Sequence, residues 1–251
     1  MWANPCWLAA ERQGFRSVLN SYGGAQAFAS VMRPRRAAIY GGTFDPVHNG
    51  HLKVARGVQQ LFELDEVILI PACVPPHKRG AGITSVFHRF AMLALATEHD
   101  ERVTISTAEL DHPDRPYAVE TVARMQQMLG SDCHLFFVMG ADSWAEITTW
   151  REWQRLLAMC DHIVVTRPGH ELPVGQVRGS VVDVRGKDAA AIKAVVDQSQ
   201  APQVFVTDAI FEDVSATAIR AAAKNGKLTE LGKMVPPEVA NYIEKYELYR
   251  N

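Results

Sequence analysis

Twelve consecutive residues, Gly41-Gly42-Thr43-Phe44-Asp45-Pro46-Val47-His48-Asn49-Gly50-His51-Leu52, restrict this chain more than any others. The apolar run Ala37-Ala38-Ile39-Tyr40 before them reads as a short buried strand. After them Val54, Ala55, Val58, Leu61 and Phe62 recur at helical spacing. The segment is therefore expected to be a strand, a Gly-rich turn and a helix starting near Asn49. Such a turn suits phosphate. Gly41 and Gly42 let backbone approach an anion without a Cβ in the way. The helix start supplies free N–H groups and the positive end of its dipole. His48 and His51 are spaced to face one site there, where imidazoles can donate to oxygens that gain charge during transfer. A βα turn whose histidines only cap a helix is the plainer reading. No Gly-Lys-Ser/Thr follows the glycines, and the pattern is not GxGxxG.

From Arg36 onward, strand and helix alternate, which implies a parallel sheet covered by helices. Strands are expected at Glu66–Ile70, Val103–Ser106, His134–Met139, His162–Thr166 and Val204–Val206. Loops after strand ends gather at the ligand crevice of such a sheet. Those loops carry Pro75-Pro76-His77-Lys78-Arg79, Gly140-Ala141-Asp142-Ser143 and Arg167-Pro168-Gly169. Gly140 allows close approach. Asp142 can accept from ribose hydroxyls or cap the next helix. Thr84 or Ser85 caps a helix with Val86, Phe90, Leu93, Ala94 and Thr97 inward, which makes Arg89 a surface charge. Arg115-Pro116-Tyr117-Ala118 opens a helix to about Leu129. Thr148-Thr149-Trp150 precedes another. In Val214-Ser215-Ala216-Thr217-Ala218-Ile219-Arg220, Ser215 caps a helix, and Thr217 and Arg220 lie one turn apart. Hydroxyls, first-turn N–H groups and a guanidinium there form a cradle for di- or triphosphate. Pro236 to Arg250 reads as a closing amphipathic helix. Residues 170–202 read as a variable insertion with one short apolar run, Val181–Val184, and a helix from Asp188 to Val196.

A formal net charge of −2 gives no sign of a nucleic-acid binder, and no apolar run is long enough to span a membrane. Cys6, Cys73, Cys133 and Cys160 are far apart and form no CxxC pair, which points to reduced, buried thiols of a cytoplasmic protein. Residues 1–35 are expected to be an extension. They read as a dispensable arm or the product of an upstream start, with Met32 as the alternative beginning. Residues 36–251 form the working domain. A homo-oligomer is compatible with the sequence.

In order, GGTFDPVHNGHL, PPHK, GADS, TTW, TRPG and SATAIR resemble the nicotinate-nucleotide adenylyltransferases of the nucleotidyltransferase superfamily. The resemblance implies a Rossmann-like, doubly wound parallel sheet in three α/β/α layers. It implies transfer of AMP from ATP to nicotinate mononucleotide, giving deamido-NAD and pyrophosphate. His48 and His51 would be catalytic. Gly42, Thr43, Phe44, Gly140, Asp142, Arg167, Ser215, Thr217 and Arg220 would bind ATP. His77, Lys78, Tyr117, Ala118 and Trp150 would bind the nicotinate nucleotide, with Trp150 packed on the pyridine ring. Mg²⁺ would ride on the ATP phosphates, with no protein metal site. The branch usually shows Ser-Tyr-Thr where this chain has Pro116-Tyr117-Ala118, so a hydroxyl is missing at Ala118. Two alternatives remain open at this level. One is a sister enzyme with another phosphate acceptor, nicotinamide mononucleotide or phosphopantetheine. The other is a non-catalytic nucleotide-binding regulator.

Overall fold

Seven strands lie side by side in the order β3-β2-β1-β4-β5-β7-β6, and every neighbouring pair is parallel. They are β1 (Arg35–Gly42), β2 (Glu66–Pro71), β3 (Val103–Ile105), β4 (Cys133–Gly140), β5 (Asp161–Val165), β6 (Val181–Asp183) and β7 (Val204–Thr207). The helices are α1 (Asn49–Leu61), α2 (Val86–Thr97), α3 (Ala118–Leu129), α4 (Ala141–Ala145), α5 (Trp153–Met159), α6 (Ala189–Gln198), α7 (Ala216–Lys224), α8 (Leu228–Met234) and α9 (Pro237–Lys245). This is a computed structural model, and it describes residues 33–73, 82–114, 117–166, 181–208 and 214–250. His77, Lys78 and Arg167 lie outside the described residues, as does nearly all of the expected extension 1–35. Pro34 to the end of the chain forms one unit by contact.

The strands are parallel because each is followed by a segment that returns over one face of the sheet. Side chains then alternate between two apolar layers. Ala38, Phe136, Val138, Ile163 and Phe205 enter one layer. Ile39, Phe137, Met139, Val164 and Val204 enter the other. Register fixes the partners: Ile39 lies opposite Ile68 on one side and Phe137 on the other. In the first layer the Phe62 ring packs 6.0 Å from Phe136 and 5.8 Å from Phe205. Each such ring, buried from water, contributes about 1.5–3 kcal/mol. The result is the expected Rossmann-like three-layer α/β/α fold. Strand order reverses between β1 and β4, so the crevice at their carboxyl ends is the natural ligand position.

Several expectations are corrected. On α2 the buried residues are Arg89, Met92, Leu93, Ala96 and Thr97, while Ala94 is exposed and Val86 and Phe90 are half-buried. Arg89 is not a surface charge: it is 1% exposed. Within residues 170–202 the expected helix is present and the short apolar run is a strand. Their described part supplies β6 at the sheet edge and α6, which Asp188 caps by accepting from the Ala191 N–H at 2.8 Å. Ile192 and Val196 of α6 are buried in the core. Of the described cysteines only Cys160 is buried, and Cys73 and Cys133 are half-buried; all three are free thiols. Burial pushes the Cys160 thiol pKa up. Among the described residues no helix is long and apolar enough to cross a membrane.

Candidate active site

β1 ends at Gly42, and a tight turn carries the chain to α1. Phe44 stands at φ 48° in that turn with its side chain 1% exposed. A Cβ on Gly42 would come within 2.9 Å of the Phe44 ring. Gly42 is thus required first by Phe44, whereas a Cβ on Gly41 would meet open space. His48 occupies the N-cap position of α1. Its carbonyl accepts from the His51 N–H at 2.9 Å, and its own N–H donates to His51 Nδ1 at 3.3 Å. The two imidazoles stack, with centroids 3.6 Å apart and planes 26° from parallel. The Phe44 ring meets His51 edge-on at 4.9 Å. His48 thus holds the cap of α1 through its backbone, and the two rings lie face to face.

Burial keeps both rings uncharged. It lowers the His48 pKa to about 4. It holds His51 well below the usual histidine range, with His48 beside it adding to the effect. Because His51 Nδ1 accepts a hydrogen bond, its proton sits on Nε2. A neutral His51 can therefore donate from Nε2 to an incoming oxygen.

Two further segments converge on this turn. Ser215 caps α7 by accepting from the Ala218 N–H at 3.2 Å, and one turn later Arg220 Nη2 donates to Thr217 Oγ1 at 3.3 Å. Arg220 Nη1 donates to the Asp45 carbonyl at 2.8 Å, which joins the second motif to the first. Ser215 and Thr217 remain exposed beside this joint. Asn49 Nδ2 donates to the Lys233 carbonyl at 3.1 Å and draws α8 against the start of α1.

Arg89 was not legible as a site residue. Its guanidinium donates to the carbonyls of Thr43 (2.7 Å), Thr84 (2.9 Å), Ala72 (2.7 Å) and Cys73 (3.3 Å). One buried cation thus gathers the turn after β1, the loop after β2 and the cap of α2. Burial lowers its pKa, and the Asp45 carboxylate opposes that. The Gly42 carbonyl adds a bond from the Ala72 N–H at 2.8 Å. Glu109 is a second residue missed. It is 8% exposed, accepts from Thr121 Oγ1 at 3.1 Å, and has its pKa raised by burial.

The remaining described residues of the expected site lie on α3, at the end of β4 and before α5. Gly140 ends β4 and caps α4, so Asp142 lies in the first turn rather than at the cap, with its side chain exposed. Ala118 begins α3 and Tyr117 precedes it. The Arg151 guanidinium lies 4.8 Å over the Tyr117 ring. Trp150 is half-buried and meets Phe137 edge-on at 6.3 Å. Beneath them His162 is fully buried, 5.8 Å from Phe137. Its ring nitrogens make no aligned hydrogen bond among the described residues, although the Cys160 backbone is near. Burial lowers its pKa to about 4.

Residues 39–222 match the cytidylyltransferase-like family. A protein of Thermoanaerobacter sp. (strain X514), described as a probable nicotinate-nucleotide adenylyltransferase, is 35% identical over 219 residues, which is 87% of this chain and 96% of that protein. A protein of Moorella thermoacetica with the same description is 34% identical over 88% of this chain and 94% of its own length. Among solved structures, the Plasmodium falciparum nicotinic acid mononucleotide adenylyltransferase complexed with NaAD superposes with a TM-score of 0.65 at 17% identity, covering 86% of this chain and 97% of that one. At that identity the superposition speaks for the fold.

Proposed function

We infer the chemistry from one premise: the chain belongs to the cytidylyltransferase-like family, among the nicotinate-nucleotide adenylyltransferases. It transfers AMP from ATP to the 5′-phosphate of nicotinate mononucleotide. The observation that carries this reading is the stacked His48–His51 pair at the start of α1, joined to the Ser215–Arg220 cradle through the Arg220–Asp45 bond.

A phosphate oxygen of the mononucleotide attacks the α-phosphorus of ATP. The bond from that phosphorus to the bridging oxygen breaks, and pyrophosphate leaves with the electron pair. The attacking phosphate is ionised near neutral pH, so no general base is needed. Rate comes from positioning and from donors aimed at developing charge. His51 Nε2–H and His48 hold α- and β-phosphate oxygens. The Thr43 and Gly42 backbone, Ser215, Thr217 and Arg220 hold the rest of the triphosphate. Phe44 packs against His51 and supports its ring. Gly140, Asp142 and Arg167 serve the adenosine. His77 and Lys78 cover the phosphates. Trp150 stacks on the pyridine ring beside Tyr117, and N–H groups at the start of α3, at Ala118, take the acid group in place of the absent hydroxyl.

Mg²⁺ arrives on the triphosphate as part of the substrate and screens its charge. The residues present fit that role. Asp45 Oδ1 accepts from the Tyr249 hydroxyl at 2.8 Å and Oδ2 from the Thr84 N–H at 3.3 Å, so its carboxylate is engaged. Among the described residues no group of three or more His, Cys, Asp or Glu is placed to hold a metal. A cytoplasmic location belongs to the same reading.

Pyrophosphate release is the test, with ATP and Mg²⁺ and with nicotinate mononucleotide, nicotinamide mononucleotide and phosphopantetheine offered separately. The expected result is release with the acid nucleotide and formation of deamido-NAD. Equal use of acid and amide would mean that the missing hydroxyl at Ala118 has relaxed the site. Release with phosphopantetheine alone, or no release, would contradict the assignment.

A further inference from the structure

The last residues of the chain reach the first motif. α9 ends at Lys245, and the chain then makes two left-handed residues, Glu247 at φ 52° and Tyr249 at φ 67°. Neither is glycine, and a left-handed backbone at such residues costs energy that surrounding contacts must offset. What this conformation delivers is the Tyr249 hydroxyl, donating to Asp45 Oδ1 at 2.8 Å across 204 residues of sequence. The Leu248 N–H closes the bend on the Ile243 carbonyl at 3.0 Å.

Asp45 is where four ties meet. Its carboxylate takes Tyr249 and the Thr84 N–H, its carbonyl takes Arg220, and the Arg89 guanidinium lies close enough to feel its charge. Asp45 is 7% exposed. It stands between Phe44, whose ring abuts His51, and His48, which stacks on His51. Val47 between them is fully buried. Phe44, Asp45 and His48 belong to one short buried turn, so a displacement of Asp45 within it would reach both neighbours of the His51 ring.

We propose that Tyr249 is a positioning residue for adenylyl transfer: its hydroxyl locks the Asp45 carboxylate and, through the buried turn, the orientation of His48 and His51. The inference rests on the proposed function for its kinetic consequence and on geometry alone for the lock. Tyr249 touches no substrate in this scheme. Its hydroxyl can be removed while its ring, packed against the core, is kept.

Tyr249→Phe is the test, with Tyr242→Phe as its control. Tyr242 lies on α9, and its hydroxyl contacts His88 Nδ1 at 3.0 Å rather than Asp45. Both variants lose one hydroxyl from the same terminal segment. Tyr249→Phe is expected to lower kcat about tenfold, a modest misplacement of the donors, with KM for ATP and for the nucleotide unchanged. Tyr242→Phe is expected to keep wild-type kcat. In ¹⁵N spectra the His48 and His51 imidazole signals should shift in Tyr249→Phe and stay in place in Tyr242→Phe. The spectra need no acceptor substrate, so they report on the lock even if the acceptor is wrongly assigned. Unmoved imidazole signals in Tyr249→Phe would overturn the proposal. So would unchanged kcat in an active enzyme, or a kcat loss matched by Tyr242→Phe and by an equal fall in Tm.

Discussion

The two halves of the candidate site are built differently. On the side proposed for the phosphates, part-buried hydrogen bonds from distant segments tie the turn after β1: Arg89 to the Thr43 carbonyl and to three carbonyls of neighbouring loops, Arg220 to the Asp45 carbonyl, and Tyr249 to the Asp45 carboxylate. On the side proposed for the pyridine ring the side chains of Tyr117 and Trp150 make ring contacts, Arg151 over Tyr117 and Trp150 edge-on to Phe137, and the hydrogen bonds there are local ones to the Tyr117 carbonyl and from the Trp150 N–H. Tyr117 and Trp150 are half-buried and Arg151 is exposed. Hydrogen bonds fix direction, and ring contacts mainly fix a plane. The chemistry needs donors held in place before the triphosphate gains charge. A flat ring needs only a surface to lie on. The difference is what adenylyl transfer to a pyridine nucleotide would ask of each half.

The largest expected effect tests the phosphate side. Arg89→Met keeps bulk but leaves four part-buried carbonyls without their donor, and it should cost about 3–5 kcal/mol in chemical denaturation. Arg89→Lys should recover only part, because an ammonium has fewer donors and no fork. A loss below 1 kcal/mol would remove Arg89 as the tie among the three loops.

Next comes acid, which reaches the floor of the pyridine side. The folded-state pKa values of His48 and His162 are lowered to about 4, against an unfolded value of about 6.5. Between these values the unfolded chain binds more protons than the folded one, so stability falls as pH drops from about 6.5 to 4. His162 alone should account for about 3 kcal/mol of that fall. His162→Leu should flatten the fall by that amount in denaturant titrations across the window. An unchanged slope would mean that His162 is not held neutral in the fold.

His51→Ala should lower kcat by roughly 10²-fold or more, the scale for one transition-state donor, while leaving KM for the mononucleotide nearly unchanged. Trp150→Ala should do the reverse. It should raise KM for the mononucleotide roughly tenfold, as expected for a lost stacking platform, without changing KM for ATP. If both variants changed the same constant, the division into a rigid half and an open half would fail.

The strands and the motif turns were legible because each rested on a local pattern. Ala37–Tyr40 is a short apolar run against glycines, and Ser215 is a hydroxyl before an apolar helix. Arg89 was not legible, because its role lies in carbonyls 5 to 46 residues away. Apolar spacing also favoured the wrong face of α2, since Phe90 and Ala94 fit a helical stripe as well as Met92 and Ala96. The one signal was an arginine inside a helix otherwise nearly apolar, Val86-Phe-His-Arg-Phe-Ala-Met-Leu-Ala-Leu-Ala-Thr97. Tyr249 read as one more apolar position of an amphipathic tail, and only three dimensions place its hydroxyl at Asp45. β6 is three residues long, and α8 is short and holds Gly232, so neither carried enough periodicity to be read.

The most direct measurement is the ¹⁵N imidazole spectrum of the free protein between pH 8 and pH 5. At issue is a phosphate side that is neutral and aligned before any substrate arrives. The predicted result is His51 as the neutral Nε2–H tautomer throughout, with His48 also uncharged through pH 6. An imidazolium at His51 near pH 6.5, or a proton on its Nδ1, would contradict it, because the His48 N–H could then no longer hold the ring.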